Sequence, residues 1–225
     1  MTAVISLHLP KTAGTAFASV LAKAWPQRTI IDYGDEPLHN PRWMVSCRAF
    51  FKRRKAAVPP GHVIHGHFLA QKYALVPNAR YAVWLRDPVD RLRSHYDYWY
   101  REFDPTSAGR LHCKMIEQGW SFERFALGPE VRNLYAFFLW RFPLARFDFV
   151  GITECYNQDL QCFAEKFGIA LSENLTPLNV RPDAVPRVDP SLRKAIEQWH
   201  AKDVKLYRQA LKWRSAGRWR IQNTA

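Results

Sequence analysis

The chain has 225 residues, of which 48% are hydrophobic and 24% are charged. This length supplies one well-buried core and is too short for two comfortable domains. The charged fraction is ordinary for a globular protein, which argues against a disordered chain. The formal net charge of +13 indicates a surface that attracts polyanions, namely nucleotides, nucleic acid, anionic lipid or acidic glycans.

The cysteines and the N-terminal segment indicate in which cellular compartment the protein is expected. No two cysteines have the C-x-x-C spacing of a zinc or redox site, which predicts reduced thiols in a reducing compartment. Residues 1–10 lack the basic and apolar regions of a signal peptide, and no run of about 18 apolar residues predicts a membrane span. We therefore expect a soluble cytoplasmic protein. The cysteines are Cys47, Cys113, Cys155 and Cys162.

The first predicted elements are a strand, a tight loop and a helix. Residues 3–9 form a short apolar run that is typical of a buried strand, and Pro10 ends it. From Ala16 onwards the apolar residues have helical spacing until Pro26. The loop between the two elements is Lys11-Thr12-Ala13-Gly14-Thr15.

The rest of the chain continues this alternation. Asp-Pro pairs at 87–88 and 189–190 each supply an N-cap and a proline at the first helical position. Further strands are predicted over 63–67, 81–85 and 147–152, and helices over 88–101, 130–140, 155–167 and 190–213. Loops are predicted over 104–120 and 174–189, and a loop or short helices over 40–60.

Alternating strands and helices predict an α/β fold in which a parallel sheet is covered on both faces. We expect one domain over residues 1–213, followed by a basic tail over residues 214–225. Ligands in such folds bind beyond the carboxyl ends of the strands.

The loop after the first strand has the composition of an oxyanion cradle. A loop that enters a helix N-terminus presents free backbone N–H groups and the positive end of the helix dipole. Ala13 and Gly14 let an anion approach, Lys11 adds a charge, and Thr12 and Thr15 are expected to add hydroxyl donors. The loop is not a Walker A motif, because Pro10 precedes the lysine and Ile5 stands where the first glycine belongs. An ordinary turn with one exposed lysine is the alternative.

Two further segments suggest binding or catalytic roles. Arg86 lies at the end of a predicted strand and Ser94 about two helical turns later, a good pair for clamping a phosphate. Arg91 is expected to be a solvated helix charge, as is Arg93. The third segment is His65-Gly66-His67.

A neutral histidine is the natural base for a hydroxyl nucleophile. His65 and His67 fall on the same side of a strand, and Gly66 leaves room for a close ligand. A single histidine is more often a packed or surface residue, and zinc would need further ligands that the neighbouring sequence lacks.

Together these segments resemble a known family. LHLPKTAGTAF, HGHF, WLRDPVDRLRSHYDYW and FDFVGITECYNQDLQCF are similar to the carbohydrate sulfotransferases related to heparan sulfate 2-O-sulfotransferase, over about residues 4–211. The resemblance implies a P-loop NTPase-like sulfotransferase fold. It also implies 3′-phosphoadenosine 5′-phosphosulfate (PAPS) as donor and 3′-phosphoadenosine 5′-phosphate (PAP) as product. No metal is expected, because a sulfuryl group carries less charge than a γ-phosphoryl group.

The resemblance also implies a role for each matching position. His67 matches the catalytic base and His65 a second active-site histidine, while Lys11 stabilises charge on the leaving phosphate. Arg86 and Ser94 match the pair that holds the 3′-phosphate. Asn179 and Arg181 lie where the family closes a loop over the nucleotide. The loop matching the 5′-phosphosulfate site comprises Lys11, Thr12, Ala13, Gly14, Thr15 and Ala16.

The acceptor implied by the resemblance is a carbohydrate. Cations beside aromatic residues, at 42–43, 52–55 and 212–220, suit sugars bearing carboxylates or sulfates and equally suit a solvated surface. A P-loop kinase is the runner-up, disfavoured by Pro10 and the missing glycine. A non-catalytic nucleic-acid-binding protein would explain the charge but not the loop or the histidines, so no nucleic-acid partner is expected. The oligomeric state stays open.

Overall fold

A computed structural model describes residues 2–171 and 188–219. Its centre is a five-stranded sheet in the order β2-β3-β1-β4-β5, with every neighbouring pair parallel. This confirms the predicted α/β class with one parallel sheet. The strands are β1 (Val4–Leu7), β2 (Thr29–Asp32), β3 (Val63–Gly66), β4 (Arg80–Leu85) and β5 (Phe149–Ile152).

Helices cover the sheet, so its inner strands are apolar on both faces. The inner strands β1 and β3 are buried along their whole length and β4 is buried from Tyr81 onwards, as expected of parallel strands packed on both sides. The edge strand β5 is buried as well. The helices are α1 (Gly14–Ala24), α2 (Arg42–Lys52), α3 (Pro88–Arg101), α4 (Arg110–Glu117), α5 (Phe122–Ala126), α6 (Leu134–Phe138), α7 (Tyr156–Phe167), α8 (Pro190–Trp199) and α9 (Ala201–Ser215).

The Asp-Pro starts of α3 and α8 are confirmed. The Asp87 carboxylate accepts from the backbone N–H groups of Val89 and Asp90, both at 3.0 Å. Asp189 caps α8 in the same way. Arg193 of α8 also donates to Asp87 over 2.7 Å, which ties the two helix starts together.

The register of the central strands brings their carboxyl ends to one edge of the sheet. Leu7 of β1 lies opposite Gly66 of β3 and opposite Val83 of β4. The residues that follow these strands therefore leave the sheet side by side. Two of the predicted site segments and the loop after β1 meet at this edge.

Several predicted boundaries are wrong, each because tertiary contacts decide the outcome. β2 was not predicted; it is a short edge strand whose Ile30 and Ile31 are exposed. Helix α2 occupies much of the segment 40–60, for which a loop or short helices were expected, so there the helical alternative holds. Helix α4 lies within the predicted loop 104–120, where it buries His112 and Met115. The predicted helix 130–140 is reduced to α6 after a 3-10 turn.

The long C-terminal helix is in fact two helices, α8 and α9, that meet at His200. Its side chain is fully buried; Nδ1 accepts from the Asn133 N–H over 3.1 Å and Nε2 lies 2.8 Å from the Ala126 carbonyl oxygen. These two hydrogen bonds fix the position of the junction between α8 and α9. The predicted tail begins inside α9, where Arg214 pairs with Asp159 at 2.7 Å. Residues 220–225 lie outside the described part.

Within residues 2–171 and 188–219, every helix is too short or too polar to span a lipid bilayer.

Candidate active site

The loop between β1 and α1 has the backbone shape of an anion site. Lys11 and Ala13 both have left-handed backbone angles, with φ of 65° and 68°. Left-handed residues in a turn point successive N–H groups toward one concavity, which favours a bound anion. Helix α1 starts immediately afterwards at Gly14, so its free N–H groups add to the same site.

The side chains of the loop have different environments: one braces the backbone, and others lie at the surface. The expectation that the Thr12 hydroxyl donates to the anion is wrong, because this hydroxyl is buried and donates to the Leu9 carbonyl oxygen over 2.9 Å, where it braces the loop. Thr15 is exposed and Ala16 half-buried at the start of α1. The Lys11 ammonium lies 3.7 Å from the centre of the Tyr98 ring, a cation–π contact with α3.

His8, which the sequence interpretation missed, packs against the start of α1. A Cβ atom added at Gly14 would lie only 1.7 Å from Nε2 of His8. Glycine is therefore required at this position by the neighbouring ring, and its φ is not left-handed. The signal in the sequence was available: His8 stands at the carboxyl end of a predicted strand, two residues before the cradle's Pro10.

Three imidazoles stack at the carboxyl edge of the sheet. The His8 ring centre lies 5.0 Å from that of His65 and 4.2 Å from that of His67. His65 is held by a 2.8 Å hydrogen bond between its Nδ1 and the hydroxyl of Ser6, its neighbour on β1. The two predicted histidines, His65 and His67, therefore lie in one cluster, in which His8 stacks against both.

The backbone of His8 fixes the tautomer of His67. Nδ1 of His67 lies 2.6 Å from the His8 carbonyl oxygen. A carbonyl oxygen only accepts, so Nδ1 must carry the proton and Nε2 is left with a lone pair. His67 is therefore oriented as a base through Nε2.

Burial keeps all three histidines neutral. It lowers the pKa of His67, lowers that of His65 to about 4, and lowers that of His8 well below its ordinary value. Repulsion from neighbouring imidazoles lowers the pKa values of His8 and His65 further, and Lys11 adds to the effect on His8. At pH 7 the site holds neutral imidazoles beside one lysine charge.

Tyr33 covers the outer side of the histidines. It follows edge strand β2, and its hydroxyl lies 2.9 Å from Nδ1 of His8. Its ring centre lies 4.8 Å from that of His67, and the residue is 40% exposed. An exposed aromatic ring thus borders the base, a feature that depended on the unpredicted strand.

Arg86 leaves the sheet directly after β4, as predicted. One guanidinium nitrogen lies 3.5 Å from the Lys11 carbonyl oxygen, so the arginine borders the loop. Ser94 is half-buried on α3, and no hydrogen bond joins it to Arg86 in the described part of the chain. The predicted Asn179 and Arg181 lie outside the described residues.

The expectation for Arg91 is wrong. This arginine is fully buried, and its Nε and Nη2 atoms have no hydrogen-bond partner among the described residues. Its Nη1 lies 3.5 Å from Nδ1 of His95, and the Asp203 carboxylate interacts electrostatically with it. Arg93 is partly buried and pairs with Asp97 at 2.8 Å. The C-terminal helices pack onto α3 and bring the carboxylate of Asp203 to this buried arginine.

Metal binding receives no support from residues 2–171 and 188–219, which contain no group of three or more His, Cys, Asp or Glu side chains arranged to hold a metal ion.

Comparisons with known proteins identify a shared fold. The structure is similar to the crystal structure of a sulfotransferase from Alicyclobacillus acidocaldarius, with a TM-score of 0.51 and 16% sequence identity; the match covers 95% of this chain and 99% of the other. No protein-family model matches the chain, and no curated protein sequence does. The chain therefore has a sulfotransferase fold.

The Gly14–His8 contact predicts a stability effect. Gly14→Ala places a methyl group into the His8 ring, which Tyr33 and two other imidazoles hold in place. We expect the free energy of unfolding to fall by about 1–3 kcal/mol, the usual cost of overpacking. Urea titration measures it.

Gly34→Ala is the matched control, because the nearest atom to its added Cβ is 4.0 Å away. In a His8→Ala background the ring is absent, so Gly14→Ala no longer creates a clash. There, Gly14→Ala should lower the free energy of unfolding much less than it does in the unaltered protein. Equal losses from Gly14→Ala in both backgrounds would show that the ring is not the obstacle.

Burial of His67 predicts an unusual titration. Because the pKa is lowered, the neutral ring persists as the pH falls below the ordinary histidine value of about 6.5. NMR titration of the ring carbon signals, assigned with a His67→Gln variant, should give a midpoint below that of the histidines in the denatured chain. A midpoint at or above the denatured value would contradict the buried environment.

Proposed function

We propose that the protein is a sulfotransferase that moves a sulfuryl group from PAPS to a carbohydrate hydroxyl. The observation that carries the proposal is the meeting, at one sheet edge, of the left-handed Lys11 loop and a His67 whose Nε2 is free to accept a proton. The sulfotransferase fold supports it. Neither feature is needed for a stable parallel sheet.

In the proposed reaction, the acceptor oxygen bonds to sulfur while the bond between sulfur and the 5′-phosphate oxygen breaks. Nε2 of His67 takes the hydroxyl proton as the new bond forms. The products are the sulfate ester, PAP and one proton on the imidazole. The low pKa of His67 keeps the ring unprotonated before the reaction, which is the state that a base requires.

The leaving phosphate gains charge during the transfer. We assign its stabilisation to Lys11 and to the N–H groups of the loop and of the start of α1, which are preorganised by the left-handed backbone and by the Thr12 brace. Arg86 and Ser94 are assigned to the 3′-phosphate. A planar guanidinium is suited to paired hydrogen bonds with phosphate oxygens.

The carbohydrate acceptor is assigned to the side of His67 that Tyr33 borders. A half-exposed aromatic ring offers an apolar face and a polar edge, as a sugar does. Two of the cations proposed for an acidic acceptor are engaged within the protein: Lys52 pairs with Asp35 at 2.6 Å, and Arg42 donates to the Glu130 carbonyl oxygen at 3.1 Å. Trp43 is 68% exposed and available. The cytoplasm remains the proposed compartment, in keeping with four free cysteines.

Nucleotide binding is the first test. PAP should raise the melting temperature and bind in calorimetry, whereas adenosine 5′-phosphate, which lacks the 3′-phosphate, should bind more weakly. Arg86→Ala should weaken PAP binding by roughly 10–100-fold, as expected when a hydrogen-bonded charge is lost, and should leave adenosine 5′-phosphate unaffected.

ATP with Mg²⁺ is the competing ligand, because a kinase would prefer it. A larger thermal shift with ATP and Mg²⁺ than with PAP would overturn the donor assignment. Arg193→Ala changes an arginine that pairs with Asp87 at the start of α3 and not with the loop, so it controls for general loss of positive charge.

Catalysis by His67 is tested separately. With radiolabelled PAPS and a panel of neutral and acidic glycans, His67→Ala should lower turnover at least about 100-fold, the usual contribution of a general base. PAP affinity should remain close to that of the unaltered protein. Turnover near the original rate would remove His67 from the mechanism.

A further inference from the structure

The backbone of Arg86 is held by one side chain from a distant helix. The Tyr135 hydroxyl donates to the Arg86 carbonyl oxygen over 2.8 Å and accepts from the Arg86 N–H over 3.2 Å. Tyr135 lies on α6 and is fully buried. A single phenol group therefore satisfies both backbone polar groups of the residue assigned to the 3′-phosphate.

The position of Arg86 explains why such a contact matters. β4 ends at Leu85 and α3 begins at Pro88, so Arg86 belongs to neither element. Its orientation is set by the turn alone. The next residue is held too, because the Asp87 N–H donates to Glu154 over 2.8 Å. The buried Tyr135 and the exposed Glu154 thus hold the turn that carries the arginine assigned to the ligand.

Tyr135 is itself fixed from the C-terminal helices. The Asp203 carboxylate of α9 accepts from the backbone N–H groups of Tyr135 and Ala136 over 3.1 and 3.0 Å, capping the first turn of α6. Asp203 is fully buried, and Arg91 lies across the ring of Tyr135 at 5.8 Å. The phenol therefore has little freedom to move away from Arg86.

We propose that Tyr135 is a positioning residue for nucleotide binding: its hydroxyl holds the Arg86 backbone so that the guanidinium is aimed at the 3′-phosphate. The inference rests on the proposed function for the identity of the ligand. The hydroxyl itself is buried beneath the turn and does not reach the nucleotide. Its effect must therefore depend on Arg86 and on the presence of a 3′-phosphate.

Calorimetry with two nucleotides tests this dependence. Tyr135→Phe retains the ring and removes the hydroxyl, leaving two buried backbone groups unpaired. We expect PAP affinity to fall roughly tenfold and the affinity for adenosine 5′-phosphate to stay unchanged. In an Arg86→Ala background, Tyr135→Phe should cause no further loss of PAP affinity.

Tyr156→Phe is the matched control, since Tyr156 is also a buried tyrosine but its hydroxyl has no hydrogen-bond partner among the described residues. It should leave both affinities unchanged. Equal losses for the two nucleotides in Tyr135→Phe, an undiminished loss in the Arg86→Ala background, or no loss at all would each overturn the proposal.

Hydrogen exchange separates this inference from the donor assignment. In the nucleotide-free protein, Tyr135→Phe should speed amide exchange at Arg86, whereas Tyr156→Phe should not. If the unaltered protein fails to bind PAP, the proposed function is wrong, and the exchange rate still decides whether the hydroxyl holds the turn. If Tyr135→Phe leaves the rate of amide exchange at Arg86 unchanged, the Tyr135 hydroxyl does not restrain the Arg86 backbone, whichever nucleotide the protein binds.

Discussion

The contact between the His8 ring and Gly14 is the constraint on which the rest of the site depends. The ring occupies the space where a side chain at position 14 would lie, so α1 can begin this close to His8 only because residue 14 is glycine. His8 also contributes its carbonyl oxygen to His67 and stacks between two imidazoles. Loop geometry and base orientation are thereby set by one residue at the end of the central strand.

A second layer of buried charge lies beneath this edge. Arg91 and Asp203 are both fully buried and interact electrostatically, and burial raises the pKa of Asp203 to about 6 even though two N–H groups and Arg91 pull it down. Taking such charges out of water is costly. Through Tyr135, Arg91 and Asp203 join α3, α6 and α9 beside the turn that carries Arg86.

Sequence patterns were sufficient where local chemistry decides the structure. The apolar runs of the inner strands, the Asp87 cap and the cradle before α1 depend on neighbouring residues, and each was predictable. Arg91 was not, because its burial needs an acidic partner more than a hundred positions away. Tyr33 was missed because edge strand β2 is half-exposed and lacks the apolar run that marks an inner strand. His8 was missed although it stands at the carboxyl end of the first predicted strand, because its stacking on the other two imidazoles depends on the register of β1 against β3, which no local pattern contains.

The parallel sheet also dictates when this site can form. β1 is the central strand, and its neighbours are the strands that begin at Val63 and Arg80. Contacts between such distant segments make folding slow and leave apolar segments exposed in the meantime. During synthesis, the Lys11 loop emerges well before the strands that carry His65 and lead to Arg86. The strands on both sides of β1 are therefore not available until the chain has been made as far as Leu85.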